Sequence, residues 1–432
     1  MTLRASSNDA KGPQLVNDLP TTAPATPTGP RQAAVIFILI TVALDMLALG
    51  AIIPVLPGLI KSFMGGDTVS ASRVYGLFGT VWALMQFIFM PVLGALSDKY
   101  GRRPVVLLSN LGLGLDYILM ALAPALWVLF VGRILSGITA ASFSVASAYI
   151  ADVTPADKRA AAFGMIGAAF GIGFICGPAL GGLLGYIGPR MPFWAAAVLS
   201  LVNFAYGYFV LPESLPGDKR STFKFRSANP VGALKLIAAT PGLPPLASVN
   251  FLSFLAHEVL PSTTVLYMAF RYGMNTLAVG LFLAAVGLAS ALVQSLAVKP
   301  LVKAFGEARV LLGGLMAGAA GFAAYGLAPD AYWFVLGIPL VALWGTAGAA
   351  IQALMTQKVG ATDQGKLQGA LSSLRGISGL VGPGLFTLTF AQFIGPWTFA
   401  GLPGAPFLLS ALLLAAGALI ARANLGVRAI TA

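Results

Sequence analysis

Three carboxylates interrupt otherwise apolar stretches of the chain: Asp45, Asp116 and Glu258. One arginine, Arg133, does the same, and the only histidine, His257, stands beside Glu258. Carboxyl groups withdrawn from water resist ionisation, so at such positions they can take up and release protons near neutral pH. Ionisable groups inside membrane segments are costly, and their default reading is a functional one, here proton coupling. The plain alternative is a structural hydrogen bond to a neighbouring helix or, for Arg133, a side chain reaching back to the membrane boundary.

These groups need a scaffold that holds them away from water, and the composition supplies one. The 432 residues are 58% hydrophobic and only 9% charged, with a mean hydropathy of +0.87. A soluble domain would carry about 25% charged residues. Apolar runs of roughly 20 residues recur, the length a helix needs to cross a bilayer. Backbone groups in lipid must be paired internally, which leaves helices or a closed barrel. The runs are continuous rather than alternating, which excludes the barrel. Spans are predicted at about 33–57, 74–97, 104–123, 127–151, 160–186, 191–211, 246–270, 276–303, 309–328, 331–357, 366–394 and 404–422. The expected fold is therefore an all-α membrane protein of twelve helices.

An even number of spans puts both termini on one side. Of the 26 Lys and Arg residues, 20 fall on that side; Lys61, Arg73, Arg190 and Arg271 fall on the other, and Arg133 and Arg375 within spans. By the positive-inside rule both termini are cytoplasmic. The net charge of +12 thus reflects membrane topology, and no nucleic-acid partner is expected. Cys176 is the single cysteine, so a disulfide framework is excluded. Residues 1–32 are polar and lack the apolar core of a signal peptide, and a disordered cytoplasmic tail is expected there. The chain has no phosphate-binding loop and no metal-site spacing of His, Cys and carboxylates. Neither an enzyme, nor ATP drive, nor a cofactor is expected.

The polar, basic stretch 212–245 divides the chain into six-span bundles at 33–211 and 246–422, with a short tail at 423–432. The halves are related in sequence. An offset of 205 residues carries Gly101 onto Gly306, and carries Gly164, Gly171, Gly177 and Pro178 onto Gly369, Gly376, Gly382 and Pro383. Paired repeats enclosing a site near the membrane midplane are an architecture of secondary transporters.

Two glycine-rich segments carry further signals. The loop Gly94-Ala95-Leu96-Ser97-Asp98-Lys99-Tyr100-Gly101-Arg102-Arg103-Pro104 reads as a tight turn, with Gly101 permitting a sharp backbone and Asp98 free to pair with cations. Span five carries Gly173, Gly177, Pro178, Gly181 and Gly182, where proline bends the helix and the glycines permit close packing.

The Asp98 loop resembles the signature of the major facilitator superfamily, in which it locks the two halves through charge pairs. That resemblance implies gating roles for Gly94, Asp98, Gly101, Arg102 and Arg103. The span-five glycines resemble the motif of drug antiporters, which implies export and a gating role for them. Leu44-Asp45, Gln86, Leu115-Asp116-Tyr117, Gly132-Arg133 and Leu367-Gln368-Gly369 are similar to the tetracycline-exporter branch, and the similarity covers nearly all of 33–422. It implies an antiporter of the bacterial inner membrane, expected to be a monomer, that confers antibiotic resistance by exchanging tetracycline for protons. The substrate would arrive as a drug or its divalent-metal chelate. Asp45, Asp116 and Arg133 would couple protons, and Asp45, Gln86 and Asp116, with Gln294 and Gln352, would contact substrate. Where that branch has a histidine in span eight and an aspartate in span nine, Ser290 and Gly318 stand here. His257 and Glu258 are the candidate replacements. Export of another lipophilic drug or a metabolite, and proton-coupled uptake, are the competing readings.

Overall fold

The structure, a computed structural model, describes residues 30–140, 142–155, 158–220, 234–360 and 363–425. Most of the expected tails, and 221–233 of the expected linker, lie outside the described residues. Among the described residues, twelve helical stretches are long and apolar enough to cross a membrane. They are span 1 (Val35–Phe63), span 2 (Thr68–Tyr100), span 3 (Arg102–Leu122), span 4 (Leu126–Val153), span 5 (Ala161–Ile187) and span 6 (Met191–Val210). Span 7 (Leu243–Tyr272), span 8 (Thr276–Phe305), span 9 (Glu307–Leu327), span 10 (Ala331–Thr356), span 11 (Gln364–Ile394) and span 12 (Ala405–Leu425) follow.

Most ends fall within a few residues of the predicted ones. Span 2 begins six residues earlier than expected, because the Asp67 side chain accepts hydrogen bonds from the backbone N–H groups of Val69 and Ser70. That cap serves two of the donors a helix start leaves open. Gly101, at φ 106°, ends span 2 and starts span 3 with no intervening loop. Gly306 does the same between spans 8 and 9 at φ 75°. The 205-residue offset thus reappears as one backbone device used twice, in a conformation that side chains avoid.

Several spans are broken. Span 1 turns at Ile53–Val55, where Pro54 cannot donate to the helix ladder. Span 7 consists of Leu243–His257 and Val259–Tyr272, with Glu258 at the junction. Pro261 lacks the N–H that would serve the His257 carbonyl, which explains a break at this point. Span 8 contains a π-helical turn at Val293–Ala297.

The second half has one apolar core running from Ile237 to Ala421. At the end away from the termini it becomes an aromatic cluster: Phe334 lies 4.4 Å from Tyr325, 5.0 Å from Phe282 and 5.6 Å from Phe407 between ring centroids. The first half has two smaller cores.

The halves meet where span 2 packs on span 11 and span 5 on span 8. At the end away from the termini this seam is tight. A Cβ on Gly79 would sit 2.7 Å from Pro383, and one on Gly182 would sit 2.9 Å from the Thr276 carbonyl and 3.0 Å from Gly280. Toward the termini the packing gives out: Cβ atoms on Gly164, Gly167 and Gly171 of span 5 would meet nothing within 4 Å. The halves are closed at the far end and unsupported at the end that carries the termini.

Candidate proton and substrate site

Asp45, Asp116 and Arg133 come from spans 1, 3 and 4 and are brought together in the first half, each less than 10% exposed. Tyr117 stands among them, close enough to feel the charge of all three. Both carboxyl oxygens of Asp116 are buried without a hydrogen-bond partner among the described residues, and Arg133 is the cation acting on them. Gly132 makes this approach possible, since a Cβ there would lie 2.9 Å from Asp116 Oδ1. The Arg133 guanidinium lies over the Trp82 ring, 4.9 Å from its centroid. Arg133 is thus buried inside the bundle and does not reach back to the membrane boundary. A cation on an aromatic face beside a carboxylate is held without full neutralisation.

A second cluster lies at the span 7 break. The His257 ring lies 5.8 Å from the Trp344 ring, tilted by 38°, and Trp344 Nε1 donates to Ser253 Oγ at 3.1 Å. Arg375 lies over Phe254, 5.7 Å from the ring centroid, and its charge reaches both His257 and Glu258. Gly382 of span 11 packs directly on Glu258. The indole of Trp344 also fills the space before Gly318, where a Cβ would lie 2.7 Å from Trp344 Cγ and 2.8 Å from Leu414 Cδ1. A span-nine carboxylate has no room here, and His257 is the titratable group beside the indole.

The candidate substrate glutamines are scattered by comparison. Gln86 and Gln352 are half-buried. Gln294 is exposed on the π-helical turn of span 8, against Gly345 of span 10.

In this conformation the partners of the Asp98 loop lie in the first half and at the start of the linker. Arg102 pairs with Asp98, with Asp152 at 3.1 Å and with Ser97 Oγ at 2.6 Å. Glu213 accepts from the backbone N–H groups of Arg102 at 2.8 Å and Arg103 at 3.3 Å, capping span 3. Arg103 donates to the Tyr208 carbonyl. With the halves unsupported at this end, the loop's charges turn inward. Glu213 was not singled out from sequence as a functional residue; a carboxylate following Pro212 at the end of span 6 was the available signal. Gly94 has only Ser144 Oγ near its missing Cβ, at 3.9 Å.

The span-five motif works on two neighbours. Cβ atoms on Gly173, Gly177 and Gly181 would strike backbone of span 1 at Ala43, Gly50 and Ala51, while Gly182 faces span 8 across the seam. Pro178 lies inside the helix, and its carbonyl meets Gly280 of span 8.

Two helical halves closed at one end, with ionisable groups buried in each, define a membrane transporter. The chain belongs to the Major Facilitator Superfamily, whose pattern matches residues 38–383. It is 38% identical over 380 residues to the tetracycline resistance protein, class C, of Escherichia coli, covering 88% of this chain and 95% of that one. It is 41% identical over 368 residues to the class G protein of Vibrio anguillarum, covering 85% and 92%. The crystal structure of the human organic anion transporter MFSD10 (TETRAN) has a TM-score of 0.67 at 23% identity, covering 91% of this chain and 100% of that one, a likeness of fold. The protein is a multi-pass transporter and not an enzyme.

Proposed function

We propose that the protein exports tetracycline-like drugs from the cytoplasm in exchange for protons. The observation that carries this reading is the gathering of Asp45, Asp116 and Arg133 around Tyr117 in a relative of tetracycline resistance proteins. The excess of basic residues beside the terminal ends of the spans supports placing both termini in the cytoplasm of a bacterial inner-membrane protein. The sealed end then faces outward, and the drug enters from the cytoplasm.

Drug, alone or as a cationic metal chelate, and proton compete for Asp45 and Asp116. A ligand shifts a conformational equilibrium only through differential affinity, so competition at a shared carboxylate suffices to couple the fluxes. Protonation from outside neutralises the carboxylate and releases the cationic drug; return to the cytoplasm-open state releases the proton inward. Glu258 and His257, at the helix break in span 7, supply the second-half titratable groups. The monomer contains every group this cycle uses.

Inverted membrane vesicles energised by a pH gradient test this reading. Tetracycline accumulation abolished by an uncoupler and by Asp45→Asn is the expected result. No accumulation by folded wild-type protein would remove tetracycline as the substrate.

A further inference from the structure

A side-chain hydrogen bond crosses the seam between the halves: Tyr75 Oη of span 2 donates to the Pro261 carbonyl of span 7 at 2.8 Å. The Tyr75 ring borders the apolar cores of both halves. Its placement follows from its neighbour. Gly76 lies directly on Thr387 and Pro383 of span 11, and this close approach aims Tyr75 sideways at span 7. Pro261 lies three residues beyond Glu258, just after the break in span 7. A carbonyl has two lone pairs, so the Pro261 oxygen can accept from Tyr75 in addition to its helical partner.

The charge of Arg133 acts on this same tyrosine. Tyr75 therefore stands between the first-half proton cluster and the helix break that carries Glu258. Arg133 of span 4 is the charge that acts on Tyr75, and Asp116 and Tyr117 of span 3 act on Arg133 in turn. Glu258 lies one turn before Pro261 on span 7, and Arg73 is exposed two residues earlier on span 2.

We propose that Tyr75 is the positioning residue that holds the outer seam closed. This rests on the alternating-access reading above. While its hydroxyl donates to the Pro261 carbonyl, spans 2 and 7 are tied to each other across the two halves. Opening to the outside breaks this hydrogen bond, so the hydroxyl weights the balance toward the state that is closed outward and open to the terminal end.

Cysteine cross-linking in a Cys176→Ser background reads this directly. The outer pair is Val69→Cys with Gly395→Cys, positions in contact across the far end. The cytoplasmic pair is Gly167→Cys with Ser295→Cys. These are set opposite each other by the antiparallel register that places Gly185 beside Thr276 and Ile175 beside Gly287. A net hydrogen bond corresponds to about a threefold to tenfold shift in a two-state ratio. Tyr75→Phe, which deletes only the hydroxyl, lowers the outer cross-link by about that factor and raises the cytoplasmic one. Cross-linking unchanged at both ends would overturn the proposal. So would a fall at both ends, which marks loosened packing and not shifted access. The readout does not depend on which drug is carried, so failure of the tetracycline assignment leaves this test intact.

Discussion

Gly177 and Gly171 lie on one helix, less than two turns apart, and the structure assigns them opposite tolerances. A Cβ on Gly177 would sit 2.7 Å from Gly50 Cα, 2.9 Å from the Leu47 carbonyl oxygen and 3.0 Å from the Gly50 carbonyl carbon. Carbon atoms pack best at about 3.5 Å, so the shortfall is about 0.8 Å, and every obstructing atom is backbone. No rotamer change relieves it; span 1 must move away from span 5. Overpacking of this kind costs about 1–3 kcal/mol. Replacing glycine by alanine within a helix returns up to about 1 kcal/mol. Gly177→Ala should therefore destabilise by up to about 2 kcal/mol and displace the segment of span 1 that carries Asp45. Gly171→Ala meets nothing within 4 Å and keeps only the helical gain. Initial rates of proton-driven drug accumulation, read beside thermal unfolding of the purified protein, should fall about tenfold for Gly177→Ala and stay level for Gly171→Ala. Equal behaviour of the two variants would refute the packing argument.

Asp116→Asn removes the carboxylate whose charge acts on buried Arg133; a lower unfolding temperature, partly restored by adding Arg133→Gln, is the expected calorimetric result. Gly318→Asp drives a carboxylate into Trp344 and Leu414, so it should lower expression and thermal stability instead of adding a proton site. His257→Ala with Glu258→Gln should abolish coupled efflux in energised vesicles while leaving drug binding measurable by fluorescence quenching. Asp67 accepts from Ser70 and Val69 at the start of span 2, and these hydrogen bonds, that of the Ser70 side chain foremost, hold its carboxyl below the usual carboxylate range. Its cap is present at neutral pH and is lost as the pH falls through that lowered value. The stability difference between wild type and Asp67→Ala should therefore shrink in acid, as followed by thermal melts across pH.

The spans were legible because twenty-residue apolar runs leave a chain little choice in a bilayer. The duplication was legible because Gly101 and Gly306 meet the same backbone demand, and Pro178 and Pro383 sit in equivalent helices. Buried charges were legible one by one, since Asp45, Asp116 and Arg133 stand out in apolar sequence. Their grouping was not, because it depends on helix rotation and on Gly132 clearing the space. Tyr75 carries no signal in a chain with 11 tyrosines, and its role comes from Gly76 and a carbonyl 186 residues away. The inward-turned partners of the Asp98 loop depend on which end of the transporter is closed, a property of the conformation.

The central claim is exchange of drug for protons, and purified protein in proteoliposomes with an internal pH indicator tests it most directly. A tetracycline gradient imposed across the membrane should drive protons against the direction of drug movement, and Asp45→Asn should abolish the signal. Drug movement with protons travelling in the same direction, or with none moving, would contradict the account.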